Sequence, residues 1–129
     1  MKTELMQAAL RKSEAGELRF PEVIWMLHEA EVDAYHVDFL HGDDTFYLLD
    51  GTTHTEPIEV REVASEFSRD GVIDAIRGAQ ADRIRYPEFV RRILASGVAS
   101  YRVHLTGKRA VYVGRKGEMH VEEFPKPAN

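Results

Sequence analysis

Arg19-Phe20-Pro21-Glu22, followed by Val32, Tyr35, Val37, Gly51, His54 and Glu56, returns 66 residues later as Arg85-Tyr86-Pro87-Glu88, followed by Val98, Tyr101, Val103, Gly117, His120 and Glu122. No insertion or deletion separates Met6 to Glu56 from Val72 to Glu122, and Ala9, Arg11 and Ala15 recur as Ala75, Arg77 and Ala81. So many matches on one offset indicate a duplicated supersecondary unit, which has to be identified before any fold assignment. The units run over about residues 3–58 and 69–124.

Working outward, each unit begins with helical spacing. Leu5, Met6, Ala9 and Leu10 form an apolar stripe from Thr3 to about Glu14, ending near Gly16. Pro21 and Glu22 open a second helix, since proline suits the first turn and a carboxylate the positive end of the helix dipole. Phe20, Val23, Ile24 and Leu27 are its inward stripe, broadened by Trp25, Met26 and His28, with Trp25 expected in core or interface packing. At Val32 the period becomes two. Strands are expected over 34–40, 44–49 and 53–58, with turns at His41-Gly42 and Asp50-Gly51. The second unit repeats the order: helices over 69–80 and 87–95, strands over 99–106, 109–114 and 118–124, turns at Gly107-Lys108 and Lys116-Gly117. A short helical turn is expected near Val63 to Phe67 in the connector, and a loose tail over Lys126 to Asn129.

The expected fold is therefore α+β, one compact domain of two tandem α-α-β-β-β repeats with antiparallel sheets and a pseudo-two-fold axis. With 129 residues, separate halves would each be marginal, so they should share a core.

Composition narrows the function classes. A net charge of −5, with 22 acidic and 17 basic residues intermixed, leaves no basic stripe, so nucleic acid is not an expected partner. The absence of cysteine removes disulfides, thiolate nucleophiles and cysteine-based zinc sites. No apolar run suits a signal peptide or membrane span, so a cytoplasmic location without membrane contact is expected.

Turns centred on those dipeptides set a register. It places His36, Tyr47 and His54 in one row and Asp38, Thr45 and Glu56 in the next, with Arg102, His104, His120 and Glu122 correspondingly placed in the second unit. All nine functional groups among these (His36, Asp38, Tyr47, His54, Glu56, Arg102, His104, His120, Glu122) would then lie on the face away from the helices. A solvated sheet face needs no purpose for its polar residues, but the recurrence of His54 and Glu56 as His120 and Glu122 singles them out as candidate ligand-binding residues. No metal or other cofactor is expected. His36 and His54 would stand about 9–10 Å apart across the middle strand, too far to share one zinc. His36 and Asp38, two apart on one strand, are the closest pair for an ion.

The words Gly16-Glu17-Leu18-Arg19-Phe20-Pro21-Glu22-Val23, Ala34-Tyr35-His36-Val37-Asp38-Phe39, Tyr47 with Asp50-Gly51, and Leu105-Thr106-Gly107-Lys108-Arg109 followed by Tyr112-Val113-Gly114-Arg115 and His120-Val121-Glu122 resemble the YbcV-like family. This is a domain-of-unknown-function family of small bacterial proteins, often labelled phage envelope protein. The resemblance spans nearly the whole chain and implies the same single-domain α+β fold; it implies no cofactor and no catalytic residue. Glu31, where the second unit has Gly97, departs from the family's pattern and bears on turn geometry alone.

Three function classes follow. A non-enzymatic module binding a small ligand or a protein matches the duplicated polar faces and the lack of a serine elbow, phosphate loop or dinucleotide fingerprint. A small enzyme would use His54 or His120 as base with Tyr47 or Arg102 nearby, and predicts a pocket gathering His36, His54 and Tyr47, or Arg102, His104 and His120. A structural or phage-related assembly protein predicts an apolar patch or sheet edge buried by a second chain, a homodimer in the simplest case.

Overall fold

A computed structural model describes residues 2–125; the expected tail over Lys126 to Asn129 lies outside the described residues. Ten elements follow one another: α1 (Lys2–Glu14), α2 (Phe20–Glu29), β1 (Val32–Asp38), β2 (Asp43–Leu48), β3 (Thr53–Pro57), α3 (Arg69–Gln80), α4 (Tyr86–Ala95), β4 (Val98–His104), β5 (Arg109–Gly114) and β6 (Met119–Glu123). The fold is α+β, with four helices and one six-stranded antiparallel sheet in the order β3-β2-β1-β4-β5-β6.

Helix starts follow from local chemistry. In α2 the Glu22 carboxylate accepts from the Arg19 N–H at 2.8 Å, and Pro21 stands in the first turn where its missing N–H costs nothing. In α3 the Ser68 hydroxyl accepts from the Gly71 N–H at 3.1 Å.

One core joins the layers. Met6, Leu10, Leu27, Val72, Ile76, Phe89 and Ile93 from the helices meet Tyr35, Val37, Phe46, Tyr101, Val103 and Tyr112 from alternate strand positions. The intervening positions, including His36, Tyr47, Arg102 and Val111, stay partly exposed on the other face. The four central strands β1, β2, β4 and β5 thus bury one side against helices, and helix burial supplies the stability that a lone three-stranded meander lacks.

The connector is tied down rather than coiled. Arg61 N–H donates to Phe39 O, Ala64 N–H to Leu94 O and Ser68 N–H to Ser96 O, at 3.0, 3.0 and 2.8 Å. The helical turn expected near Val63 to Phe67 does not form; those backbone groups bond the rest of the fold and leave only a bend at 65–66. Val63 is buried there. Trp25 and His28 do not broaden the buried stripe, and Trp25 is not in the core: it is 62% exposed on α2, on the side opposite Leu27, and His28 is exposed too. Helical phase explains this, because two residues advance the helix by about 200° and carry Trp25 away from the stripe that Leu27 centres.

Two bulges interrupt the ladders, one between Val32 and Ala34 and one between Val98 and Ser100. At them Leu105 N–H donates to Asp33 O at 2.9 Å and Phe39 N–H to Ala99 O at 3.0 Å, so the end of β4 is stitched to the start of β1 and the end of β1 to the start of β4.

Candidate functional site

The nine candidate residues do not share a face. His36, Asp38, Tyr47, Arg102 and His104 lie on the open side, whereas His54, Glu56, His120 and Glu122 point toward the helices. The reason is a one-residue difference in two hairpins. Leu48 N–H donates to Thr52 O and Gly51 N–H to Leu48 O, giving a three-residue loop with Gly51 at φ +88°. Gly114, Gly117 and Glu118 repeat this, with Gly117 at φ +87°. A turn of this kind ends in a left-handed residue, which glycine supplies without a Cβ clash. Phe46 therefore faces His54 and Tyr112 faces His120, where a two-residue turn would pair Tyr47 with His54 and Val113 with His120. A slip of one residue reverses every side chain. The β1–β2 and β4–β5 hairpins differ from expectation by two residues, which moves partners but preserves faces: His36 opposes Thr45, and Arg102 opposes Val111.

The inward groups form two ion clusters. His54 Nε2 lies 2.6 Å from Glu56 Oε2, which also accepts from Gln7 at 3.0 Å, while Glu56 Oε1 accepts from Arg11 at 3.2 Å. His120 Nε2 lies 3.1 Å from Glu122 Oε1, and Glu122 Oε2 accepts from Arg77 at 2.7 Å. Burial works against ionising Glu56, but the bonds from Gln7 and His54 and the charge of Arg11 outweigh it and hold its carboxyl below the usual range. Glu122 is likewise opposed by burial and held low by Arg77 and His120. His54 stacks on Phe46 and His120 on Tyr112, each pair with ring centres 6.4 Å apart. These satisfied clusters bind α1 to β3 and α3 to β6.

On the open face the Arg102 guanidinium lies 4.3 Å from the centre of the Tyr47 ring, a cation–π contact. Arg102 Nε is shielded and has no hydrogen-bond partner among the described residues. Asp38 is occupied in its own turn, accepting from the Leu40 and His41 N–H groups at 3.0 and 2.9 Å. Neither triple expected of an enzyme pocket assembles, because each would require an imidazole from the opposite face. Among the described residues no group of three or more His, Asp or Glu side chains is placed to hold a metal ion.

The concave site lies inside, between helices and sheet. A cavity of about 120 Å³ is walled by Leu10 of α1, Leu27 of α2, Ile76 of α3, Tyr86 and Phe89 of α4, and by Tyr35, Phe46, Tyr101, Val103 and Tyr112 of the strands. Half-buried Phe20 and Phe124 meet edge to face at its rim, their centres 5.6 Å apart. Beyond Leu10 and Tyr86 a shallower cleft of about 370 Å³ opens to the surface past Glu14, Arg61 and Arg91.

A deeply buried carboxyl, that of Asp44, stands on this space. Asp44, 3% exposed, is on β2 in phase with Phe46 and lines the cavity, and its Oδ1 has no hydrogen-bond partner among the described residues. Desolvation, reinforced by Glu14, Asp43 and Glu56, pushes its pKa well above the usual carboxylate value, favouring the neutral acid. Burial also drives Tyr35, Tyr86, Tyr101 and Tyr112 upward, so the phenols keep their protons. The Tyr86 and Tyr101 hydroxyls bond each other at 2.8 Å. Asp44 was absent from the sequence-derived candidates. The available signal was its phase: a charged residue two positions before Phe46 on a strand whose Phe side is buried.

Comparison of the chain with the profiles of known protein families and with curated proteins gave no match.

Proposed function

We propose that this protein is a small-ligand-binding module, without turnover, whose site is the interior cavity rather than the sheet face. The observation that carries this reading is the Asp44 carboxyl, buried at an aromatic cavity with one oxygen unpartnered among the described residues. Burying a polar group without a hydrogen bond costs roughly 1–3 kcal/mol. Ala110, also lining the cavity at the matching place 66 residues on, is apolar, so the position does not demand a carboxyl for folding. A ligand that bonds Asp44 would offset the cost. Binding rather than catalysis is favoured because the Asp44 acid and the phenols around the cavity are held in their protonated forms, and the Glu122 carboxylate that also lines it is engaged by Arg77 and His120. The resemblance to YbcV-like proteins supplies no chemistry, so the reading stands on the cavity.

The test is a thermal-shift and NMR screen with a panel of single-ring aromatics, run on the native protein and on Ala110→Leu, which fills the cavity with apolar volume. Binding that perturbs Phe46, Tyr101 and Ala110 and disappears in the filled variant is the expected result. A native protein that takes none of the panel, or a filled variant that binds as well, would sink the reading.

We also infer that the chain is a tandem duplication with a pseudo-two-fold axis through the β1–β4 pair. In support, the pairs Tyr35 with Val103 and Val37 with Tyr101 flank His36 opposite Arg102, and His36 and Arg102 are themselves 66 residues apart. The same offset relates the two bulges, the glycine-closed loops, the left-handed residues Glu31 and Gly97, and the Arg11–Glu56 and Arg77–Glu122 pairs.

A further inference from the structure

This inference rests on the cavity being a ligand site and deepens it to a ligand class. Size comes first. A protein cavity of roughly 150 Å³ lined by Leu, Ile and Phe holds benzene, and the cavity here measures about 120 Å³. One planar ring is the limit unless the rim moves. The walls favour the same shape, because Phe46, Phe89, Tyr101 and Tyr112 line the space, and aromatic rings pair well with a further ring edge to face or offset-stacked.

Polarity then selects the ring's edge. The Tyr86 and Tyr101 hydroxyls are engaged with each other, whereas the buried Asp44 Oδ1 has no hydrogen-bond partner among the described residues. A neutral carboxylic acid offers an O–H donor and a carbonyl acceptor side by side. Its complement is a molecule with an acceptor and a donor on adjacent atoms. A cationic amine is disfavoured, because the resulting ion pair would be stripped of water on both sides in an apolar space. Arg19 and Arg85 also line the cavity but are paired with Glu22 and Asp82 at 3.6 and 3.4 Å, so an anion would compete with those carboxylates and meet Glu122 and Glu123 besides.

We propose that the cavity binds an uncharged single-ring cyclic amide, with a ring N–H next to a ring C=O as in 2-pyridone, held edge-to-edge by the Asp44 carboxyl. The ligand C=O accepts the carboxyl proton and the ligand N–H donates to the other oxygen. Both the unpartnered Oδ1 and the confined volume are then accounted for by one occupant.

The experiment is an NMR titration of the full chain with 2-pyridone, N-methyl-2-pyridone and benzene, repeated on Asp44→Asn and Asp44→Leu. In the native protein 2-pyridone should bind at least about tenfold more tightly than either control, the effect of roughly one added hydrogen bond beyond shape. Asp44→Asn keeps a donor and an acceptor and should retain the preference to within about threefold, whereas Asp44→Leu should bring the three ligands together. Equal affinities in the native protein overturn the ligand class while leaving the cavity as a binding site. No binding by any of the three overturns the ligand class and counts against the cavity reading as well. The native comparison needs no variant, so a misfolded substitution cannot hide the answer.

Discussion

Asp44 shows how one residue sets both a chemical property and a cost. Its folded-state pKa is raised, so above the usual carboxylate range the native protein holds a proton that the unfolded chain has released. Stability from this group is therefore greatest in acid, falls as pH rises from about 4, and levels off above the folded pKa. Asp44→Asn removes the titration. The unfolding free energy of Asp44→Asn minus that of the native protein should grow between about pH 4 and the folded pKa, read from urea midpoints. A difference that stays constant would mean the carboxyl does not carry its proton into the fold. A second residue-scale prediction concerns Glu31, which holds φ +61° where the matching Gly97 holds +88°. A left-handed residue with a Cβ costs about 1–2 kcal/mol, part of which glycine returns as chain entropy. Glu31→Gly should stabilise the protein by about 0.5–1 kcal/mol, even with loss of the exposed Lys2–Glu31 pair. The reverse change, Gly97→Ala, drives a Cβ into the Glu66 carbonyl oxygen and should cost more than about 2 kcal/mol. Thermal melts decide both, and a less stable Glu31→Gly would show that the strain is not there.

Hairpin loops decide the middle scale. With nothing within 4 Å of a Cβ added at Gly51 or Gly117, alanine there meets only backbone strain. Each substitution should therefore lower stability by about 1 kcal/mol, and by nearly equal amounts. A silent Gly51→Ala would argue for a different turn. The loops also place the ion clusters, whose pH response has the opposite sign to that of Asp44. Glu56 and Glu122 have depressed folded pKa values, so their contribution is present above the unfolded value and is lost as pH falls through the folded one. The double change Glu56→Gln with Glu122→Gln should flatten the acid limb of the stability profile below about pH 4.5. An unaltered acid limb would mean the clusters do not couple helices to edge strands. Element types were legible because apolar period reports them directly. Register was not, because Asp50-Gly51 and Lys116-Gly117 suit either a two-residue turn or a type I turn closed by a left-handed glycine, and the dipeptide is the same in both.

At the scale of the molecule, the sheet is continuous through β1 and β4, and the cavity takes walls from all four helices. A chain of residues 2–66 alone would expose β1 as a long unpaired edge and lose the walls supplied by α3 and α4. It should form no folded monomer; sedimentation with circular dichroism should find it unfolded or paired through β1, and a folded monomer would refute a shared core. The recurring 66-residue offset and the change of period at Val32 and Val98 determined helix, strand and their order from sequence alone, since both are properties of neighbours along the chain. Only tertiary structure decided which face His54 and His120 occupy, that Trp25 is exposed, and that Asp44 Oδ1 ends at an aromatic cavity without a hydrogen-bond partner among the described residues. Those depend on how glycine-closed turns set the pairing and on where helices distant in sequence leave space, and neither is encoded in any local window of residues.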